Sequence, residues 1–514
     1  MTEDMETMVK NRVEKERASS QTKRADSRGQ DKKTESDLDA YCIRAGEVGA
    51  GIVFARLHEG QFVFNKDSRE WWSWAGHYWK LDIFDGAIKA VENVALWYVG
   101  EAVELSSQIQ SAQKKNNQAS VENLQALRSI CNKTASKLRT ERGRQICLRC
   151  AHSNHLKSLE VSGDQFDQNP WLLACANGVI DLQTGEMRDG LPEDFLTKSS
   201  PVMWEGIGTP APIWERVLWD IFEDQLMIEY LQGLFGYCLT GKSSEPVLPF
   251  LIGQGRNGKT TIVEEIGRVA GDLAGPVQSE MLLSQGRFHS SAAPSPDIMD
   301  LRGLRIAFAS EIEEGRRFSA ARVKWFSGGD TLIGRAPHDK RNTRFQPTHS
   351  LILMANSKPD APMHDFAFWS RIHLIPFEFS FVDREPKAPN ERRADKHISE
   401  KLKAEAPGIL AWLIRGCLRW QRDGLCPPEK VRAATEEYRR SEDLLQDFLD
   451  EYCLMDTEES EGAAELYDAF KTWWVANVSK KTMSQKKFGR LLGARFKRIK
   501  SNKIRYRGLR LLKA

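Results

Sequence analysis

FLIGQGRNGKTTIVEEI, residues 250–266, decides the fold class. An apolar run, a glycine-rich loop and an amphipathic segment follow one another without a gap. Gly253 to Thr260 match G-x-x-x-x-G-K-[ST], and the strand–loop–helix context that gives this pattern its meaning is present. The main-chain N–H groups of Gly253, Gln254, Gly255, Arg256, Asn257 and Gly258, with a helix N-terminus opening at Lys259, Thr260 and Thr261, can cradle phosphates. Lys259 is placed to reach the β- and γ-phosphates, and the Thr260 hydroxyl to hold Mg²⁺. Pro249 lacks a ladder donor, so it is expected at the edge or start of its strand.

Three segments downstream acquire meaning from this loop. LRIAFAS (304–310) reads as a strand that could lie beside the phosphate-loop strand, and it stops on Glu311 and Glu313. Carboxylates at a strand's C-terminal end would face the γ-phosphate and Mg²⁺ and could orient the attacking water. The sequence does not divide these roles between Glu311 and Glu313. HSLILMAN (349–356) is a further strand ending in Asn356, a neutral group suited to positioning a water. Arg371 stands between a helix-like and a strand-like segment in MHDFAFWSRIHLIPF (363–377). It could reach a neighbouring subunit's γ-phosphate, or make a structural ion pair.

The rest of the chain is read around this core. It has 514 residues, too many for one ordinary core, and a net charge of +3 that names no partner. From Lys480 onward there are fourteen Lys or Arg and no Asp or Glu, a distribution that attracts polyanions. No apolar run is long enough to span a membrane, the first forty residues do not read as a signal peptide, and nine scattered cysteines suit a reduced cytosolic protein. Cys147, Cys150, His152 and His155 suggest zinc, but their spacing is too tight for the usual arrangement and they lie in a helical stretch.

Residues 1–40 read as a disordered arm. Short strands are expected from Val53, in a meander carrying Trp71, Trp72, Trp74 and Trp79; a small aromatic core is favoured over base stacking. Residues 84–160 read as helical, NGVIDLQTGEMR (177–188) as a hairpin, and Trp214 to Cys238 as helices. The division expected is 41–205 for an N-terminal α+β domain, 206–425 for a helical collar and α/β core, and 426–514 for a C-terminal module. In SQKKFGRLLGARFKRIKSNKIRYRG (484–508), Phe488, Leu491, Leu492 and Phe496 form an apolar stripe. Lys486, Lys487 and Arg490 lie off it, and a basic hairpin follows. A helix packed by one face before a wing is a DNA-binding arrangement, and a solvated basic surface is the alternative.

GQGRNGKT, ASEIEE, VKWFSGGDTLIGRAPHDKRNTRF, LILMAN and DFAFWSRIHLIPF occur in that order within about 125 residues. This set resembles the superfamily 3 helicase core in its poxvirus- and phage/plasmid-type primase–helicase branch. WWSWAGHYWKLD, NPWLLACANGVIDLQTGE and the terminal YRGLRLL resemble the flanks of the same branch. The resemblance implies an AAA+-like P-loop ATPase core with a C-terminal winged-helix domain, assembled as a ring, usually a hexamer, with ATP between subunits. It implies 3′-to-5′ translocation on single-stranded DNA, forked DNA as substrate, and a cytoplasmic role in a bacterial host for a phage, plasmid or integrated element. By motif position, Lys259 and Thr260 are the Walker A residues, Glu311 the Walker B acid, Asn356 the sensor and Arg371 the finger. Lys324 to Phe345 matches the segment carrying the pore hairpin, in which Lys324, His338, Lys340 and Arg341 are candidates for gripping the DNA backbone. Longer members carry a primase domain ahead of this region. Here about forty residues precede it, and the N-terminal half shows no convincing pair of metal-binding acids in strand context. DNA synthesis by this chain is therefore not expected, and a separate primase or polymerase is. An origin-binding initiator, or an ATPase that moves DNA without unwinding it, are the competing readings.

Overall fold

The structure is a computed structural model and describes residues 31–284, 295–310, 316–335, 337, 342–363, 365–442, 444–477, 482–500 and 503–512. It opens with helices α1 (Asp31–Arg44) and α2 (Gly46–Leu57). The expected arm therefore overlaps a helix from Asp31. The strand expected at Val53 is also corrected. Ile52, Val53, Phe54 and Ala55 are buried in succession on a helix packed against more than one neighbour, so no helical stripe shows in the sequence. At Gly51 a Cβ would lie 2.5 Å from Cys150, so only glycine lets α2 come this close.

The meander follows as β1 (Phe62–Asn65), β2 (Glu70–Trp74) and β3 (Trp79–Leu81). It precedes the helices α3 (Gly86–Lys114), α4 (Gln118–Leu138) and α5 (Glu141–Ser153), and then β4 (Glu160–Val161), which pairs parallel with β1. Trp79 is buried and its indole N–H donates to Pro192 O at 2.9 Å; Trp74 packs edge-on against it and Trp71 packs on Phe54. Trp72, Trp74 and Trp79 share the small aromatic core expected of them with Phe166, whereas Trp71 packs with the helical core instead.

β5 (Leu172–Cys175), β6 (Gly178–Asp181) and β7 (Glu186–Arg188) make a second antiparallel sheet, with the expected hairpin between β6 and β7. Leu173, Ile180 and Leu182 share a core with α6 (Pro212–Phe222), α7 (Gln225–Cys238) and Trp412. This sheet therefore packs with the collar beyond the boundary expected at 205.

The central sheet contains β8 (Leu248–Ile252), β9 (Ala274–Gln278), β10 (Ile306–Ser310), β13 (Ser350–Ala355) and β14 (Ile372–Pro376). α8 (Lys259–Ala270), α9 (Pro296–Met299), α10 (Ala320–Phe326), the pair β11 (Leu332–Gly334) and β12 (Thr343–Phe345), and α11 (Phe366–Trp369) lie between them in the chain. The order is β14-β8-β13-β10-β9, all parallel. Period-two alternation sends Leu251, Ile306, Phe308, Ile352 and Ile375 to a core shared with α6, α7 and α8. It sends Phe250, Ala307, Leu351, Leu353 and Leu374 to a core shared with α10 and α11 on the other face. Both faces are covered, which is why these strands read as continuous apolar runs. β10 does not lie beside β8 as expected, because β13 is inserted between them. Pro249 stands where β8 has not yet entered register with β13, which begins at Phe250, so its missing N–H costs no ladder bond there.

Arg305 fastens this sheet to its surroundings. Its buried guanidinium donates to Leu239 O at 2.6 Å and Leu172 O at 2.7 Å, tying β10 to the end of α7 and to β5. Desolvation lowers its pKa to about 10.

The short parallel pair β15 (Ser380–Val382) and β16 (Glu391–Arg393) leads to α12 (Ile398–Ala404), α13 (Ala406–Asp423) and α14 (Glu429–Ser441). α14 buries Val431 and Tyr438 in the two central cores, so it belongs with them and the C-terminal module begins after it, not at 426. That module comprises α15 (Leu444–Tyr452), β17 (Cys453–Gly462), α16 (Ala463–Asn477), α17 (Gln485–Arg495), β18 (Lys497–Lys500) and β19 (Ile504–Leu511), with sheet order β17-β19-β18. Phe488 and Leu492 are buried, and Leu491 and Phe496 pack against their cluster, as the stripe requires. Among the described residues no helix is long and apolar enough to cross a membrane.

Candidate nucleotide site

The loop after β8 is shaped by its neighbours. A Cβ at Gly253 would fall 2.5 Å from Phe377 O. Gly258 has φ +87°, and a Cβ there would sit 2.5 Å from Ile221 Cδ1, so it fails any other residue on both backbone and space. Arg256 holds φ +62°, fixed by the Phe381 N–H donating to its carbonyl at 2.7 Å and by a 2.9 Å ion pair with Asp383.

Lys259 opens α8 and is 7% exposed. Its Nζ donates to Gly253 O, and to Asn257 Oδ1 and Asn356 Oδ1 at 3.2 Å each. Burial holds its pKa below the ordinary lysine value. Among the described residues no carboxylate pairs with it. Asn257 is 4% exposed and its Nδ2 is buried without a partner. A buried ammonium held by neutral oxygens, at the start of a 12-residue helix, is prepared for an incoming anion. Thr260 is exposed at the same helix end.

β8 connects toward β9 on one side of the sheet and β13 toward β14 on the other, so the chain diverges at their carboxyl ends. Crevices at such points receive ligands in open α/β sheets. Asn356 follows β13 at this point, and the structure brings it to Lys259. β10 ends at the same level, since Ser310 pairs with Met354 and Met354 with Leu251. β10 thus ends at Ser310 two strands from β8, on the order of 10 Å across. Glu311 and Glu313 themselves lie outside the described residues.

Arg371 is not part of this cluster. It precedes β14, and its carbonyl accepts from Leu248 N at 2.6 Å, at the opposite end of the strands from the loop. Five residues of β14 separate it from the loop level, on the order of 16 Å. Its Nη1 donates to Ala367 O, and its Nε is buried without a partner.

A cavity of about 350 Å³ adjoins the loop, between Arg216, Asp220 and Ile221 of α6 and Phe381, Asp383 and Arg393. Sequence reasoning missed it, because its walls come together over more than 150 residues of chain and no local pattern marks them.

The DNA-binding candidates are scattered. Lys324 is held in a 2.8 Å ion pair with Asp365, whose carboxyl this contact keeps below its usual range. His338, Lys340 and Arg341 lie outside the described residues, although β11 and β12 pair on either side of them. Lys486 and Arg490 are exposed on α17, one turn apart; the side chain of Lys487 lies outside the described residues. Of the four residues that suggest zinc, Cys147 donates to Ala50 O at 3.5 Å and burial pushes its thiol pKa up. Cys150 and His152 share α5 with it, His152 stacks on Phe64, and His155 follows the helix.

Residues 51–223 match the family model described as D5 N terminal like. Both N-terminal stretches that carry the flank resemblance fall within it. The chain is 30% identical over 334 residues to a "Putative helicase" of Acanthamoeba polyphaga mimivirus, covering 62% of this chain and 34% of that protein. It is 26% identical over 399 residues to a "Putative helicase" of Frog virus 3, covering 63% and 41%. It is 22% identical over 338 residues to a "Putative primase" of African swine fever virus, covering 61% and 34%. The chain thus spans between a third and two fifths of the length of these relatives. They come from viruses of eukaryotes and give the expected bacterial host no support. The solved C-terminal region of NrS-1 aligns at 13% identity with a TM-score of 0.38, over 67% of this chain and all of that one.

Proposed function

We propose that this chain is an ATP-dependent DNA helicase of the superfamily 3, D5-like primase–helicase type, acting in replication of a viral or mobile genome. The observation that carries the reading is Lys259, a buried ammonium held by neutral oxygens at a helix N-terminus, with Asn356 delivered from the adjacent strand. The helicase and primase names of similar viral proteins support DNA as the track.

In this reading the triphosphate lies along residues 253–261 and displaces Lys259 from its resting partners. The nucleoside enters the cavity beside α6. Thr260 and Glu311 hold Mg²⁺, which when bound neutralises phosphate charge. Asn356 and Glu313 orient the attacking water. Arg371 stands too far from its own loop to serve it, which favours action on a neighbouring subunit's nucleotide in a ring, a hexamer by family analogy. His338, Lys340 and Arg341, between β11 and β12 in the chain, grip the backbone of single-stranded DNA during 3′-to-5′ movement, and the C-terminal module acts as a winged helix through Lys486, Lys487 and Arg490. The exposed Lys486–Arg490 face also suits an origin-binding initiator, and the two activities can coexist.

The test is ATP-dependent displacement of a labelled strand from forked DNA by the full chain. Displacement by the unaltered chain and none by Lys259→Ala is expected. ATP hydrolysis without displacement would favour the DNA-moving or initiator readings, and no hydrolysis would overturn the assignment.

A further inference from the structure

The outer side of the helical N-terminal region is strongly basic. Residues 128–157 hold eight Lys or Arg and one acid, Glu141, in a chain whose net charge is only +3. Some of these are engaged: Arg139 pairs with Glu92 at 2.8 Å, Lys157 with Glu59, and Arg128 donates to Ser106. Lys133, Lys137, Arg142 and Arg149 are different. All four are exposed, and among the described residues none has an ion-pair partner.

Their placement is regular. α4 buries Cys131, Ala135 and Leu138, so Lys133 and Lys137, one turn apart, lie on the opposite side. α5 buries Cys147, Leu148 and Ala151, so Arg142 and Arg149, two turns apart, also lie opposite the core. Only Arg139 and Thr140 separate the helices, and Thr140 caps α5 by accepting from Gly143 N at 3.1 Å. Asn132, Ser136, Thr140 and Gln145 stand exposed among the cations. Cations mixed with neutral hydrogen-bonding groups are what phosphate backbones receive when sequence is not read.

We propose that the outer face of α4 and α5 is a second nucleic-acid contact, holding phosphate backbone through Lys133, Lys137, Arg142 and Arg149. The inference rests on the helicase reading only in taking nucleic acid as the partner. None of the four lies in the nucleotide site, so they can change DNA affinity without changing basal hydrolysis.

The experiment compares the full chain with a variant carrying Lys133→Gln, Lys137→Gln, Arg142→Gln and Arg149→Gln. Binding to a labelled single strand and to a duplex of the same length is followed by fluorescence anisotropy between about 50 and 200 mM salt. The variant is expected to keep its basal ATPase. Its log–log salt slope should fall by about 3 to 4 on duplex, or about 2 to 3 on single strand, depending on which one the face holds. A Lys133→Glu, Arg142→Glu variant should weaken binding further. Unchanged affinity and slope on both nucleic acids would overturn the proposal, even if an acidic protein then bound the face. An unaltered chain that binds neither nucleic acid would overturn the helicase reading itself, a separate and recognisable failure.

Discussion

In the proposed function, Lys259 concentrates the chemistry in one side chain. Its ammonium bridges the loop and Asn356, so removing either partner has a distinct consequence. Lys259→Ala is expected to abolish ATP hydrolysis; an unimpaired rate in a steady-state assay would remove the phosphate-loop claim. Asn356→Ala should lower kcat by about 10²-fold with little change in nucleotide affinity, if the residue orients the attacking water. A raised KM at unchanged kcat would instead make Asn356 a binding residue. The loop was legible in the sequence because glycines, Lys259 and Thr260 act within one turn of chain. The contact between Lys259 and Asn356 was not, because it needs β13 beside β8 over a separation of 97 residues.

The strand order shows where local reading fails. Each strand of the central sheet is legible from its apolar run, and Pro249 correctly announced the start of β8. Order is a property of the crossovers, however, and nothing in LRIAFAS says that HSLILMAN lies between it and the loop. The boundary at 426 failed for a similar reason, since Val431 and Tyr438 are sparse on a charged helix and their burial is decided by distant partners. Arg305 is the element-scale contact most open to test. Arg305→Leu leaves the carbonyls of Leu172 and Leu239 without their donor, at about 1 to 3 kcal/mol for each. Urea unfolding should show a loss of a few kcal/mol, on the order of those two penalties together. A variant as stable as the parent would mean that water replaces the guanidinium.

At the scale of the whole molecule, the opposite-end placement of Arg371 favours an assembly. A single chain holds its phosphate loop and Arg371 at the two ends of the same strands. Lys259→Ala and Arg371→Ala subunits, each inactive alone, should recover hydrolysis when mixed, because some interfaces then pair an intact loop with an intact arginine. No recovery at any ratio would make Arg371 structural. Replacing Lys340 and Arg341 with Ala should remove DNA stimulation and spare basal ATPase, and stimulation that survives would displace the grip from this segment. The most direct test is unwinding of two forks that differ only in which strand carries the single-stranded tail, with ATP and without it. ATP-dependent strand separation from the 3′-tailed fork, and none from the 5′-tailed fork, is the result predicted. Failure to separate either fork while ATP is hydrolysed would contradict the helicase account.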